Sequence, residues 1–213
     1  FFNLRMFGGS ARHRDPFADS EPAKVEKSND TVVQSTNDDA ATSKLAAVRT
    51  GYYKDDALEL LLDGNEIIRR APIMLRGYYI RSYIMRDVVR KFLMYQNDGE
   101  DMKYKQIVNL GAGFDTLYFW LKNENLWSDN IGYYELDFQN VFKRKVNSIL
   151  KKKELVDLLG GESNIIFNEQ EGSLDAGSYH IIPTDLRKLD LLKQQLESKG
   201  FNTNHPTLFL SEC

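Results

Sequence analysis

Between positions 75 and 93 the apolar residues Ile80, Ile84, Val88 and Phe92 recur every fourth residue, while Arg81, Arg86, Arg90 and Lys91 occupy other directions. That spacing predicts an amphipathic helix with a basic flank. Four short apolar runs predict strands: Ile107 to Leu110, Tyr133 to Asp137, Tyr179 to Ile182 before Pro183, and Thr207 to Ser211 after Pro206. Helical patterns lie between them at Phe114 to Asn123, Phe138 to Leu159 (the weakest) and Lys188 to Lys199, the last closed by Gly200. Strand and helix in alternation imply a parallel sheet covered on both faces, the doubly wound α/β class.

Residues 1 to 31 break this rhythm, mixing charge, serine, glycine and proline with little periodic apolar content, so a disordered N-terminal arm is expected there. The remaining 32 to 213 read as one domain, because 213 residues leave little room for a second core. A formal net charge of -3 announces no global attraction to nucleic acid or membrane. The single cysteine, Cys213, excludes a disulfide framework. With no apolar run near the roughly 18 residues of a membrane span, a soluble cytoplasmic protein is expected. His13, His180 and His205 stand at no metal or triad spacing and take no role.

Candidate chemistry starts at "NLGAGFDT", where Gly111 and Gly113 stand between the first strand and its helix. In such sheets a ligand sits beyond the carboxyl ends of the strands, and this turn is glycine-rich because a Cβ would block its approach. Thr116 replaces the third glycine of the dinucleotide fingerprint, which argues against a pyrophosphate and for a nucleoside ligand such as S-adenosylmethionine. The acid expected for the ribose hydroxyls is supplied by Glu135 or Asp137 in "YELD". Asp185, with Leu186 beside it, ends the third strand, either facing an adenine or capping the next helix. Glu212 ends the fourth. A plain glycine turn is the competing reading of the motif.

Taken in order, "VVQSTNDDAATSKLAAVRTGYY", "RRAPIMLRGYYIR", "QIVNLGAGFDTLYFWLK", "YELDF", "TDLRKL" and "HPTLFLSEC" resemble the blocks of the leucine carboxyl methyltransferase superfamily, from about Val32 to Cys213. The resemblance implies a Rossmann-like class I S-adenosylmethionine-dependent methyltransferase, here with only the first four strands present, as an N-terminal fragment would have. It places the cofactor against Lys44, Arg81, Gly111, Asp137, Asp185, Leu186 and Glu212, with Arg81 and Lys44 also positioning a substrate carboxylate. Two departures stand out: Leu45 where a basic residue is usual, affecting a contact near the site, and Gln139 where proline is common, altering a helix start. "QSTNDDAATSK" and "GAGFDTLYF" are closer to the wybutosine-synthesising branch, whose substrate is a modified phenylalanine tRNA, than to the branch that esterifies the C-terminal leucine of the protein phosphatase type 2A catalytic subunit. A tRNA substrate would use a basic surface, for which Lys143 to Lys153 offers six cations in eleven positions. A non-catalytic cofactor-binding or interaction fragment is the third reading.

Overall fold

The computed structural model describes residues 22–64, 69–95 and 104–212, with side chains from Thr36 onward. Helix α1 (Pro22–Arg49) is followed by a short α2 (Asp56–Leu61) and by α3 (Pro72–Met94). The α/β part then runs β1 (Lys105–Leu110), α4 (Leu117–Asn123), β2 (Ile131–Asp137), α5 (Gln139–Leu150), α6 (Lys153–Leu158), β3 (Ile165–Asn168), β4 (Ser173–Ala176), β5 (Tyr179–Pro183), α7 (Leu189–Ser198) and β6 (Thr207–Ser211).

The sheet order is β3-β4-β5-β2-β1-β6. The four expected strands are its parallel part, β5-β2-β1-β6, with Ile107 opposite Tyr133 and Leu208, and Tyr133 opposite Tyr179. Beyond them β3 and β4 form an antiparallel hairpin that extends the sheet past β5. The hairpin escaped sequence reading because its strands are four residues each and carry only two apolar positions fully buried, Leu174 and Ala176. Alternate residues of β1 and β2 enter opposite cores. Ile107 and Tyr133 join the larger one, beneath α1, α2, α4, α5 and α6; Val108, Tyr134 and Leu136 join a smaller one with Leu196 of α7. Burial on both faces is why these strands read as continuous apolar runs.

Three sequence expectations change. Positions 22 to 31 of the expected arm belong to α1, where Pro22 takes the first turn that tolerates a missing N–H, and residues 1 to 21 lie outside the described residues. The segment Phe138 to Leu159 is two helices, separated at Lys151 and Lys152. The third concerns which face of α3 is buried: Ile80 and Ile84 are about half exposed (51% and 52%), whereas Leu75 and Val89 are buried. Arg86 and Arg90 of the cationic flank turn inward instead. Arg86 pairs with Asp55 at 2.8 Å and lies over the rings of Tyr53 and Trp120, and Arg90 lies over Trp120. Guanidinium planes stack on aromatic faces and pair with carboxylates, so an arginine row can serve as a packing surface.

Asp55 ties this half of the fold together. Only 8% exposed, it accepts the Leu58 N–H at the start of α2 (3.0 Å), the Thr116 hydroxyl before α4 (2.6 Å) and Arg86 of α3 (2.8 Å). Replacing one member of a buried ion pair leaves the other charge uncompensated and typically costs about 3 to 5 kcal/mol. Asp55→Ala should therefore lower unfolding free energy by roughly that amount in urea denaturation, while Asp55→Asn, which keeps acceptor oxygen, should lose less; a change within experimental error for Asp55→Ala would remove Asp55 from this role.

Candidate functional site

The carboxyl ends of β1, β2, β5 and β6 open into one cavity of about 610 Å³, within the usual range for small-molecule sites. Lys44, Arg81, Gly111, Asp137, Asp185, Leu186 and Glu212, the seven residues singled out from sequence, all line it. Helix α1 brings Lys44 and α3 brings Arg81; the remaining five stand at strand ends, where the chain leaves the sheet. The site is thus drawn from positions as far apart in sequence as 44 and 212.

The turn after β1 is held by the chain itself. Gly111 and Ala112 donate their N–H groups to the Leu136 carbonyl (2.8 and 3.1 Å), and Asp115 donates to the Ala112 carbonyl (2.8 Å). Gly113 donates to Asp137 Oδ2 (2.7 Å) and Phe114 to Asn37 Oδ1 (3.1 Å). Thr116 and Leu117 donate to Asp115 Oδ1 at 2.7 and 3.2 Å. Every amide from Gly111 to Leu117 is therefore already spent. A phosphate cradle needs such N–H groups aimed at the anion, so this turn suits a ligand that approaches closely without a phosphate. Gly111 has φ +69° and open space where a Cβ would stand, so a side chain would both strain the backbone and fill the cavity side of the turn.

Asp137 and Glu135, equivalent candidates in the sequence, share one face of β2 and separate along it, Asp137 closing the strand and Glu135 standing two residues back. Asp137 lines the cavity; Oδ1 accepts the Phe138 N–H at 2.6 Å, and burial raises its pKa above the ordinary value against the pull of the N–H groups that hold the ionised form. Glu135 is fully buried behind the turn, 2.5 Å from Lys145 Nζ, which also donates to the Asp115 carbonyl at 2.7 Å. Glu135 is a tether of the turn rather than a ligand contact.

Asp185 does not cap α7, whose N-cap position is Lys188; its carboxylate accepts two bonds from the Arg187 guanidinium, both at 2.8 Å, which lower its pKa. At the far side Glu212 bridges two cations. Its Oε2 accepts from Lys44 Nζ at 2.6 Å, and its Oε1 lies 3.1 Å from Arg81 Nε, outside hydrogen-bond alignment. Burial works against the charge on Lys44, but the carboxylates of Asp115 and Glu212 outweigh it and raise the lysine's pKa.

Several cavity residues carried no assignment from sequence: Asn37, Tyr78, Asp115, Phe138 and Thr184. "TNDD" was visible as a motif, yet only the fold shows that Asn37 reaches the turn. Leu45 is 1% exposed and sits in the larger core, so its departure from a basic residue does not touch the cavity as expected. Gln139 opens α5, and its side-chain amide donates to the Gln170 carbonyl at 3.0 Å. The cation-rich stretch from Lys143 to Lys153 is not one basic face. Lys145 is buried, Arg144 pairs with Asp38 and Lys152 with Asp63. His180 pairs with Asp175 at 2.7 Å and stacks on Tyr134, a structural contact, while His13 lies outside the described residues.

A parallel sheet with this strand order and a ligand cavity at its carboxyl edge is the Rossmann-like architecture of class I methyltransferases. The family model for leucine carboxyl methyltransferase matches residues 11–213, and the chain belongs to that family. It is 38% identical over 187 residues to the leucine carboxyl methyltransferase 1 homolog of Arabidopsis thaliana, covering 88% of this chain and 53% of the relative. It is 37% identical over 183 residues to the human tRNA wybutosine-synthesizing protein 4, covering 85% of this chain and 26% of that protein. A probable leucine carboxyl methyltransferase 1 of Caenorhabditis briggsae is 35% identical over 87% of this chain and 55% of its own length. The chain thus spans about half the length of the first type of relative and a quarter of the second.

The Glu135 tether carries a pH signature. Burial lifts its pKa from the ordinary 4.5 to about 7, against the attraction of Lys145. A carboxyl whose folded-state pKa is raised contributes stability that is fully present below its unfolded pKa and is lost as pH rises through the folded one. From pH 4.5 to about 7 the parent should therefore lose stability relative to Glu135→Gln. Denaturation midpoints of the two proteins at several pH values read this directly; a constant difference would show that Glu135 does not titrate in that window.

Proposed function

We propose that these residues form the cofactor-binding part of an S-adenosylmethionine-dependent carboxyl O-methyltransferase. The observation that carries the reading is the convergence of the seven residues on one cavity beside a glycine turn whose amides are all used internally. The residues present suit that cofactor: Gly111 leaves room for close approach, Asp137 can accept ribose hydroxyls, and Asp185 with Leu186 faces the place of the base. The charged cluster of Lys44, Arg81 and Glu212 suits the amino-acid end. S-adenosylmethionine, when bound, supplies an electrophilic methyl group.

A carboxylate acceptor is already an anion at neutral pH and needs no general base. The chain's task is then to bind and orient. Arg81, whose side chain is 36% exposed, stands nearer the mouth than Lys44 at 16% and is placed to orient the acceptor carboxylate through its planar fork. Lys44, held charged by its carboxylate neighbours, supplies a point charge deeper in the cavity.

For the acceptor we favour the C-terminal leucine carboxylate of a protein, the protein phosphatase type 2A catalytic subunit being the candidate. The specific observation is that three of the six cations between Lys143 and Lys153 are engaged within the chain, which leaves that stretch a poor phosphate-binding face. The second reading, a modified phenylalanine tRNA, rests on the Thr36-Asn37-Asp38 motif and on the human wybutosine-synthesising relative. Incubation with labelled S-adenosylmethionine and either the phosphatase subunit or precursor tRNA should label the phosphatase at its C-terminus; label in the tRNA alone would reverse the choice of acceptor.

Cofactor binding has its own test. Asp137→Ala removes hydrogen bonds to a charged group, worth about 1.5 to 3 kcal/mol. Calorimetric titration should show S-adenosylmethionine affinity lower by roughly ten- to a hundredfold. Unchanged affinity would take Asp137 out of the site.

A further inference from the structure

The two glycines of the turn are needed for different reasons. Beside Gly111 there is open space, but at Gly113, with φ +50°, a Cβ would lie only 2.1 Å from Oδ1 of Asn37. That same oxygen accepts the Phe114 N–H at 3.1 Å. We propose that Asn37 is a positioning residue for the cofactor, and that Gly113 is glycine to admit Asn37 and not to admit the ligand. The inference rests on the cofactor reading above.

Asn37 and Lys44 are seven residues apart on α1, so they share a helix face, and both line the cavity. The contact of Asn37 with the turn therefore sets the distance between two walls of the site: the strand-end turn that carries Gly111, and the helix that carries Lys44. Neighbouring polar contacts hold the same register. Asn37 Nδ2 donates to Asp38 Oδ1 at 3.3 Å, and Asp38 accepts two bonds from Arg144 at 2.8 and 3.0 Å. The Arg144 guanidinium also lies 5.4 Å from the centre of the Phe114 ring. Phe114 is thus gripped at its amide by α1 and covered at its ring by α5. Asp39, one residue further along α1, pairs with Arg70 just before α3. Several of these partners are surface groups, with Asp38 and Arg144 about half exposed (47% and 56%), so they add little rigidity on their own. Asn37 is the member that reaches the turn.

The test is a double-mutant cycle read by calorimetric titration of S-adenosylmethionine, at a temperature where denaturation curves show every variant folded. Asn37→Ala should weaken binding about five- to tenfold, the loss of one hydrogen bond to the turn. Gly113→Ala expels the Asn37 side chain and breaks the same contact, so the double variant should bind no more weakly than the weaker single variant, within about twofold, because changes that share a partner are not additive. Hydrogen exchange at the Phe114 amide should quicken in Asn37→Ala. Two results would overturn the proposal while leaving the cofactor reading standing: an Asn37→Ala protein that binds as the parent does, or single losses that multiply in the double variant. A parent protein that fails to bind S-adenosylmethionine would instead overturn the cofactor reading, and this inference with it.

Discussion

The turn from Gly111 to Leu117 is the constraint on which the rest of the site depends, because a tight strand-to-helix turn leaves seven consecutive amides that must each find an acceptor. A dinucleotide site leaves some of them for phosphate oxygens. Here the acceptors come from the chain: backbone of β2, the Ala112 carbonyl and Asp115 side chain within the turn, Asp137 at the end of β2 and Asn37 from α1. Each acceptor belongs to an element that also forms a wall of the cavity. Satisfying the turn and building the site are therefore one event, since buried N–H groups without partners would cost free energy that a marginally stable fold cannot spare.

The same economy governs the charges. The turn is anchored from behind by Lys145, whose ammonium is shielded from water and held between Glu135 and the Asp115 carbonyl. Arg86 is likewise committed to Asp55, and Arg81 and Lys44 converge on Glu212. Such pairs contribute little net stability once desolvation is counted, but they are strongly selective for geometry, because displacing either partner strands a charge. The cations that face inward fix where helices α1, α3 and α5 sit relative to the sheet.

This assignment of charges explains how α3 is oriented. An apolar row at four-residue steps marks the helix, yet Ile80 and Ile84 stand half exposed while Arg86 and Arg90 pack against Tyr53 and Trp120. Periodicity finds the helix because backbone geometry is local. It cannot tell which face has partners, since an aromatic cluster assembled from residues 53 and 120 compensates a guanidinium in a way no hydropathy pattern records.

By itself the sequence determined the four parallel strands, the glycine turn and the acids at the strand ends, because continuous apolar runs, paired glycines between strand and helix and an acid closing a strand are local demands with local signatures, whereas Lys44 and Arg81 followed from the family resemblance alone. The short hairpin β3-β4 lacked such a signature, with too few buried positions to alternate. Tertiary structure alone decided between Glu135 and Asp137, which share a face of β2 and differ in how far along the strand they stand, and removed Asp185 from helix capping. It alone engaged three of the six cations between Lys143 and Lys153 in separate internal pairings, and it alone brought Asn37 to a turn 77 residues away. Those outcomes depend on which long-range partner a polar group meets, and that is fixed only when helices pack on the sheet.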